Sequence, residues 1–195
     1  MSAQSLIYAF AGHNLVAQGP ISSVAARLKS ALNHGDKELI LLFDGSTGQQ
    51  FDLDLSGSAE EVEKRYGKPA VQSGETEQDS SPKRRGRPKL GVVGREVTLL
   101  PRHWEWLDAQ RGGASAALRR LIETARRENA GEDRIKSAQD AAQRFMYAMA
   151  GNLSGFEEAI RALYARESTR FEQETAGWPI DIRNCAREYA KPALN

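Results

Sequence analysis

The stretch from residue 67 to residue 90, GKPAVQSGETEQDSSPKRRGRPKL, divides the chain and limits what can fold on either side of it. It is rich in glycine, proline, serine, glutamine and charged side chains, and it offers little apolar surface. A segment of this composition cannot offset the entropy lost on ordering, so we expect a disordered linker. We therefore expect separate segments, with residues 1–66 before the linker and residues 91–129 and 130–195 after it.

Positive charge is concentrated at the end of this linker. Glu75, Glu77 and Asp79 come first, and five basic side chains then follow within residues 83–89. The whole chain has a formal net charge of only +1, so overall composition does not account for the block. We call it the basic block; its members are Lys83, Arg84, Arg85, Arg87 and Lys89.

The composition favours a soluble cytoplasmic protein with a real core. Hydrophobic residues make up 40% of the 195 residues, and no apolar run approaches the roughly 18 residues of a membrane span. The start of the chain lacks the basic region and long apolar stretch of a signal peptide. The single cysteine, Cys185, excludes an intramolecular disulfide and suits a reducing compartment.

The pattern of residues 5–66 predicts an α+β fold. SLIYAFAG and NLVAQG predict two short strands, and PISSVAARLKSALNHG predicts a helix because its apolar residues recur every three or four positions. KELILLFD and QQFDLDL predict two further strands. Ser58 and Glu61 form a capping box for a short helix. The order β-β-α-β-β-α predicts a small antiparallel sheet with a helix on one face.

The segment after the linker predicts a strand, a helix, a glycine turn and a second helix. GREVTLLP predicts the strand, and Pro101 is tolerated at the first position of the helix that follows. Ser115 is a candidate cap for the second helix, whose apolar positions form one stripe. That stripe consists of Leu118, Leu121, Ile122 and Ala125.

The tail from about residue 131 predicts a helical extension. An apolar stripe ends at Gly151, and Ser154 with Glu157 predicts a second capping box. A last helix after GWP carries Cys185 on its apolar stripe, which indicates a buried structural thiol.

The basic block resembles an AT-hook, whose Arg-Gly-Arg-Pro core is complete here. The narrow minor groove of A·T-rich DNA has an enhanced negative potential that attracts inserted arginine. Glycine lets the backbone approach the groove floor, and proline keeps the chain extended. The resemblance implies contacts to A·T-rich DNA from Lys83, Arg84, Arg85, Gly86, Arg87, Pro88 and Lys89. Two alternatives remain open: a nonspecific tether to nucleic acid or an acidic partner, and a plain solvated linker.

Residues 95–127, REVTLLPRHWEWLDAQRGGASAALRRLIETARR, resemble a ribbon-helix-helix domain. The resemblance implies a dimer whose paired strands enter the major groove. It makes Thr98 the outward strand residue toward DNA and residues 113–116 the turn that faces a phosphate. Glu96 shares the side of Thr98, which favours dimerisation through the strand over groove reading by it. The alternative is a helical hairpin without DNA contact, packed on the tail.

The chain as a whole also resembles a family of bacterial proteins with a domain of unknown function. The resemblance rests on LLPRHWEWLDAQ, GGASAALRRLI, AAQRFMYAMAGNLSGFEEAIRALYA and GWPIDIR. It covers most of the length and implies no particular activity.

The remaining polar residues do not predict an enzyme. His13, His34 and His103 lie in different segments without other ligands at metal-binding spacing, so we expect no metal or cofactor. We expect a non-enzymatic DNA-binding protein, either a transcriptional regulator or a nucleoid-associated factor. Its lone strand predicts a homodimer through residues 95–122. The competing hypothesis is a protein-interaction adaptor whose basic linker meets an acidic partner.

Overall fold

The computed structural model describes residues 6–33, 39–67, 93 and 95–195. The basic block and most of the linker lie outside these residues, so what the sequence predicts for them stays a prediction. The chain divides into two units, one made of residues 1–71 and 131–195 and the other of residues 72–130. The second unit is thus an insertion in the sequence of the first.

The described residues form a mixed α+β structure that is mostly helical, and the predicted order β-β-α-β-β-α is confirmed for residues 6–66. The strands are β1 (Leu6–Ala11), β2 (Asn14–Pro20), β3 (Ile40–Asp44) and β4 (Gln50–Phe51). The helices are α1 (Ile21–Asn33), α2 (Ala59–Tyr66), α3 (Pro101–Asp108), α4 (Gly113–Ala150), α5 (Phe156–Ala165), α6 (Ser168–Glu174) and α7 (Ile180–Leu194).

The four strands form one antiparallel sheet in the order β2-β1-β3-β4. The fourth strand is shorter than the segment QQFDLDL predicts, because the chain leaves the ladder after Phe51. Side chains of α1 and α2 then form hydrogen bonds with backbone groups of the segment that follows β4. The hydroxyl of Tyr66 accepts from the Asp54 N–H at 2.9 Å, and Lys29 Nζ donates to the Leu55 carbonyl at 3.0 Å.

One face of the sheet is covered by α1, as expected. Alternate residues of β1 point to this face because side chains along a strand alternate between its two sides. They pack with the apolar stripe of α1 into a closed cluster. Its buried members are Ile7, Ala9, Ala17, Val24, Leu28 and Leu42.

The other face of the sheet is covered by the C-terminal helices, so the first and last parts of the chain share one core. Phe145 on α4 lies with its ring centroid 5.5 Å from that of Phe10 and 5.1 Å from that of Phe43. Tyr189 on α7 lies 5.3 Å from Phe145, and its hydroxyl donates to the Asp44 carbonyl at 2.9 Å. The sequence segments 1–66 and 130–195 therefore do not bury their apolar faces separately.

Burial in this core also keeps two ionisable side chains, Tyr8 and Cys185, in their protonated form. Desolvation raises the pKa of Tyr8 to about 12, and it raises the pKa of Cys185 well above that of an ordinary thiol. Both groups are therefore neutral near pH 7. Cys185 is 4% exposed, which confirms the buried thiol expected from its position on the apolar stripe.

Two capping boxes were predicted, and one of them forms. Ser58 accepts from the N–H of Glu61 while the Glu61 carboxylate accepts from the N–H of Ser58. The box predicted at Ser154 and Glu157 is wrong, because the cap position of α5 is Gly155, with φ +80° and no side chain to cap the helix. A Cβ at Gly155 would come within 2.7 Å of the Glu174 carbonyl oxygen, so tertiary contact decides the start of this helix.

The second helix of the insertion and the first helix of the tail are one continuous helix of 38 residues, α4. Ser115 lies inside its first turns instead of capping it, and the helix ends before Gly151 as predicted. The boundary between the two units falls within α4, between residues 130 and 131. One helix therefore belongs to both units.

The turn between β3 and β4 is held against α4. Asp44 Oδ1 accepts from the backbone N–H groups of Ser46 and Thr47 at 2.9 Å each, and Arg144 Nη1 donates to the Thr47 carbonyl at 2.9 Å. Gly48 has φ +65°, and a Cβ there would lie 2.1 Å from the Ala141 carbonyl oxygen. The turn therefore requires glycine for both its conformation and its packing.

We expect Gly48→Ala to lower the free energy of unfolding by about 2–5 kcal/mol, because a left-handed backbone and a close contact act together. Gly12→Ala is the matched control, since Gly12 has φ +53° but nothing within 4 Å of its Cβ position. The control should lose only about 1–2 kcal/mol. Urea unfolding of both variants measures the difference, and equal losses would contradict the packing of this turn on α4.

Candidate nucleic-acid interface

Residues 95–100, where a strand is predicted, form no strand in the structure. Thr98 is exposed, and the other candidate DNA-binding residues, 83–89, lie outside the described residues. The physical reason is that an extended segment needs a partner for its N–H and C=O groups, and none of the described strands pairs with it. The segment runs directly into α3, whose first residue is Pro101 as predicted.

The unit that contains α3 buries few of its apolar side chains. Leu107 and Ala117 are 3% and 2% exposed, whereas Trp106 and Ile122 are 52% and 54% exposed. The exposed set is Val93, Val97, Leu100, Trp104, Trp106, Leu121 and Ile122. We call the part of it around Trp106 and Leu121, which line one pocket, the apolar face of the insertion. Leu121 and Ile122, which belong to the apolar stripe predicted for the second helix, are therefore not covered by the described residues of the same chain.

A small pocket opens on the apolar face. Its volume is about 240 Å³, and its lining is almost entirely apolar. The residues around it are Leu99, His103, Trp106, Leu107, Leu118 and Leu121. Exposed apolar side chains gathered around a pocket are typical of a surface that meets another protein.

The glycine turn before α4 has the features of an anion site. Gly112 and Gly113 adopt φ +87° and +73°, and this lets the chain enter the helix abruptly. The N–H groups at the start of a helix lack intrahelical acceptors and carry the positive end of its dipole. Arg120 Nη1 donates to the Arg111 carbonyl at 3.0 Å, so a guanidinium lies beside this turn. A phosphate is the natural ligand for such an arrangement.

Of the three histidines, His34 lies outside the described residues, and His13 and His103 lie in different units. Within the described ranges, no group of three or more His, Cys, Asp or Glu side chains could hold a metal ion. His13 and His103 are both exposed.

A second concave surface lies in the first unit, and the sequence contains no motif that marks it. A hollow of about 790 Å³ opens where the sheet ends at β4 beside α4. Its lining residues lie about a hundred positions apart in sequence, near residues 48–50 and 143–148. Periodicity alone could not associate them, because only the tertiary fold brings these two segments together.

No described helix is both long enough and apolar enough to cross a bilayer. Comparison with the curated proteins and with the solved structures gives no match to this chain. A family model does match, and it covers residues 6–190, nearly the whole length. The chain belongs to the bacterial family described as "Uncharacterized protein conserved in bacteria (DUF2239)".

Proposed function

We propose that this protein binds DNA without catalysing a reaction, and that the basic block contacts the minor groove of A·T-rich duplex. The observation that carries the proposal is the complete Arg85-Gly86-Arg87-Pro88 core with basic residues on both sides of it. Arg85 and Arg87 would lie along the groove floor, where the amino group of guanine would obstruct them. A·T preference then arises without reading individual bases.

The distribution of charge supports a polyanionic partner for the middle of the chain. Residues 67–130 hold 13 basic and 8 acidic side chains, whereas the rest of the chain holds 14 basic and 18 acidic ones. The positive charge is therefore concentrated in the linker and the insertion. A field of this sign attracts nucleic acid to this part of the chain.

The insertion supplies a second, weaker contact in this proposal. The turn before α4, with Arg120 beside it, binds a backbone phosphate. A hook anchored next to such a unit gains affinity, because the second contact becomes intramolecular. Pairing of two insertions through their apolar faces places two hooks on one duplex.

Replacing Arg85 and Arg87 together by alanine should weaken binding to an A·T-rich duplex by at least about tenfold, since each lost contact is worth about 1 kcal/mol or more. Thermal unfolding should not change. The matched control is Arg27→Ala with Arg134→Ala, which removes two exposed arginines outside residues 67–130. Fluorescence anisotropy with A·T-rich and G·C-rich duplexes measures both effects. Undiminished affinity, or equal binding to the two duplexes, would contradict the hook and favour the adaptor.

The salt dependence of binding tests the electrostatic part of the proposal. If all five side chains of the basic block neutralise phosphates, log K against log salt should have a slope of about −4 to −5, from about −0.9 per phosphate contact. Titrations at several salt concentrations give the slope. A value near zero would show that the basic block is not in contact with the DNA backbone.

The apolar face predicts that the full chain is a dimer at micromolar concentration. Changing Leu121 and Ile122 together to aspartate should convert it to a monomer, because two charges would be buried in the interface. Ile180→Asp is the control, since Ile180 is 62% exposed in the other unit. Sedimentation equilibrium measures the mass of each variant. A wild-type chain that sediments as a monomer would end the dimer hypothesis, as would a double variant that remains dimeric.

A further inference from the structure

The hollow at the end of the sheet lies between a strand edge and a helix. Gln49 and Gln50 line one side of it, and Gln143, Arg144 and Tyr147 on α4 line the other. Phe43 of β3 and Ala148 of α4 also line it. We call this surface the edge groove. It lies wholly within the first unit and does not depend on DNA binding.

The backbone at the edge groove is open to pairing. β4 is the outermost strand of the sheet. The N–H of Asp44 donates to the Gln49 carbonyl at 2.9 Å, and ladder bonds of an antiparallel pair join alternate residues. The N–H and C=O of the next residue, Gln50, therefore point away from β3. No described residue pairs with them, so Gln50 presents a donor and an acceptor at the open edge.

Two side chains of the edge groove, Gln143 and Arg144, offer hydrogen-bond donors to a ligand. The Tyr164 hydroxyl donates to Gln143 Oε1, which leaves the amide N–H₂ of Gln143 as its remaining polar group. Arg144 uses Nη1 to hold the Thr47 carbonyl, and its other N–H groups are left for a ligand. Arg144 is also the only charged residue among the described residues that line the groove. A ligand with a carboxylate complements this set.

The groove is already formed before any ligand arrives. Gly48 packs against Ala141, and Arg144 ties the same turn to α4. Tyr147 is 60% exposed, but its ring is held edge-on against Phe156 with centroids 5.1 Å apart. A fixed, exposed aromatic ring offers apolar contact area at low entropic cost.

We propose that the edge groove binds an extended acidic peptide segment of a partner protein, which adds to the sheet as a fifth strand outside β4. Main-chain bonds to Gln50 supply part of the affinity, and a carboxylate side chain meets Arg144 and the amide of Gln143. Side chains on alternate positions of the peptide lie over Tyr147, because a strand projects every second residue to the same face.

A second copy of this chain is a poorer occupant. Pairing of two β4 edges about a two-fold axis would bring two Arg144 guanidinium groups into the same groove, and like charges repel. Nucleic acid fits poorly as well, because one arginine is a small footprint for a polyanion. An acidic peptide supplies both the opposite charge and the missing strand.

The test uses the full chain and a display library of random decapeptides, from which the enriched sequence is synthesised with a fluorophore. We expect enrichment of an acidic residue among β-forming residues. Arg144→Glu should weaken binding of that peptide by at least tenfold. Arg27→Glu is the matched control on α1, which covers the opposite face of the sheet, and it should bind as the wild type does. Thermal unfolding of each variant shows whether it is folded.

Peptides N-methylated at one backbone nitrogen after another test the strand geometry without altering the protein. Methylation should abolish binding at alternate positions and leave the positions between them unaffected. Three outcomes would overturn the proposal: no enriched sequence, an enriched sequence whose binding is unchanged by Arg144→Glu, or binding that is insensitive to N-methylation. Loss of DNA affinity in the Arg85 and Arg87 variant would not affect these results, so the two proposals fail independently.

Discussion

The packing of Phe145 against Phe10 and Phe43 is the contact on which the first unit depends. It covers the face of the sheet that α1 does not reach, and it brings together residues more than a hundred positions apart. A small four-stranded sheet with only one covered face would leave Tyr8, Phe10 and Phe43 in water. The C-terminal helices remove that surface, and the Tyr189 hydroxyl then satisfies the Asp44 carbonyl at the end of β3. Everything that the edge groove offers follows from this placement of α4.

The same contact explains how the chain tolerates an insertion. Residues 72–130 separate the two parts of the first unit. The entropic cost of closing a loop grows only with the logarithm of its length, so a long connection adds little beyond a short one. Burial of several aromatic side chains can offset such a cost. The linker and the insertion are thus free to carry other properties, including positive charge and an exposed apolar face, without weakening the core.

Local signals in the sequence predicted the elements better than the contacts between them. The strands of residues 6–51 and the capping box at Ser58 follow from patterns within a few residues, and these predictions are confirmed. The box at Ser154 has the same local signal and fails, because the close approach of Gly155 to Glu174 fixes that helix start instead. The strand expected at residues 95–100 also has a sound local pattern. None of the described strands pairs with it, and a local pattern cannot supply a partner.

The two candidate binding surfaces differ in how they could be found and in the forces that they use. The basic block is a contiguous motif, so the sequence alone identified it, although it lies outside the described residues. The edge groove joins Gln50 to Arg144 through the fold, and no spacing rule connects them. The contact proposed for the block would depend on releasing counterions from several phosphates and would weaken steeply with salt. Contact through the groove depends on main-chain hydrogen bonds and a single charge, and salt screens only the latter. The two proposals therefore rest on different forces, and salt titration separates one from the other.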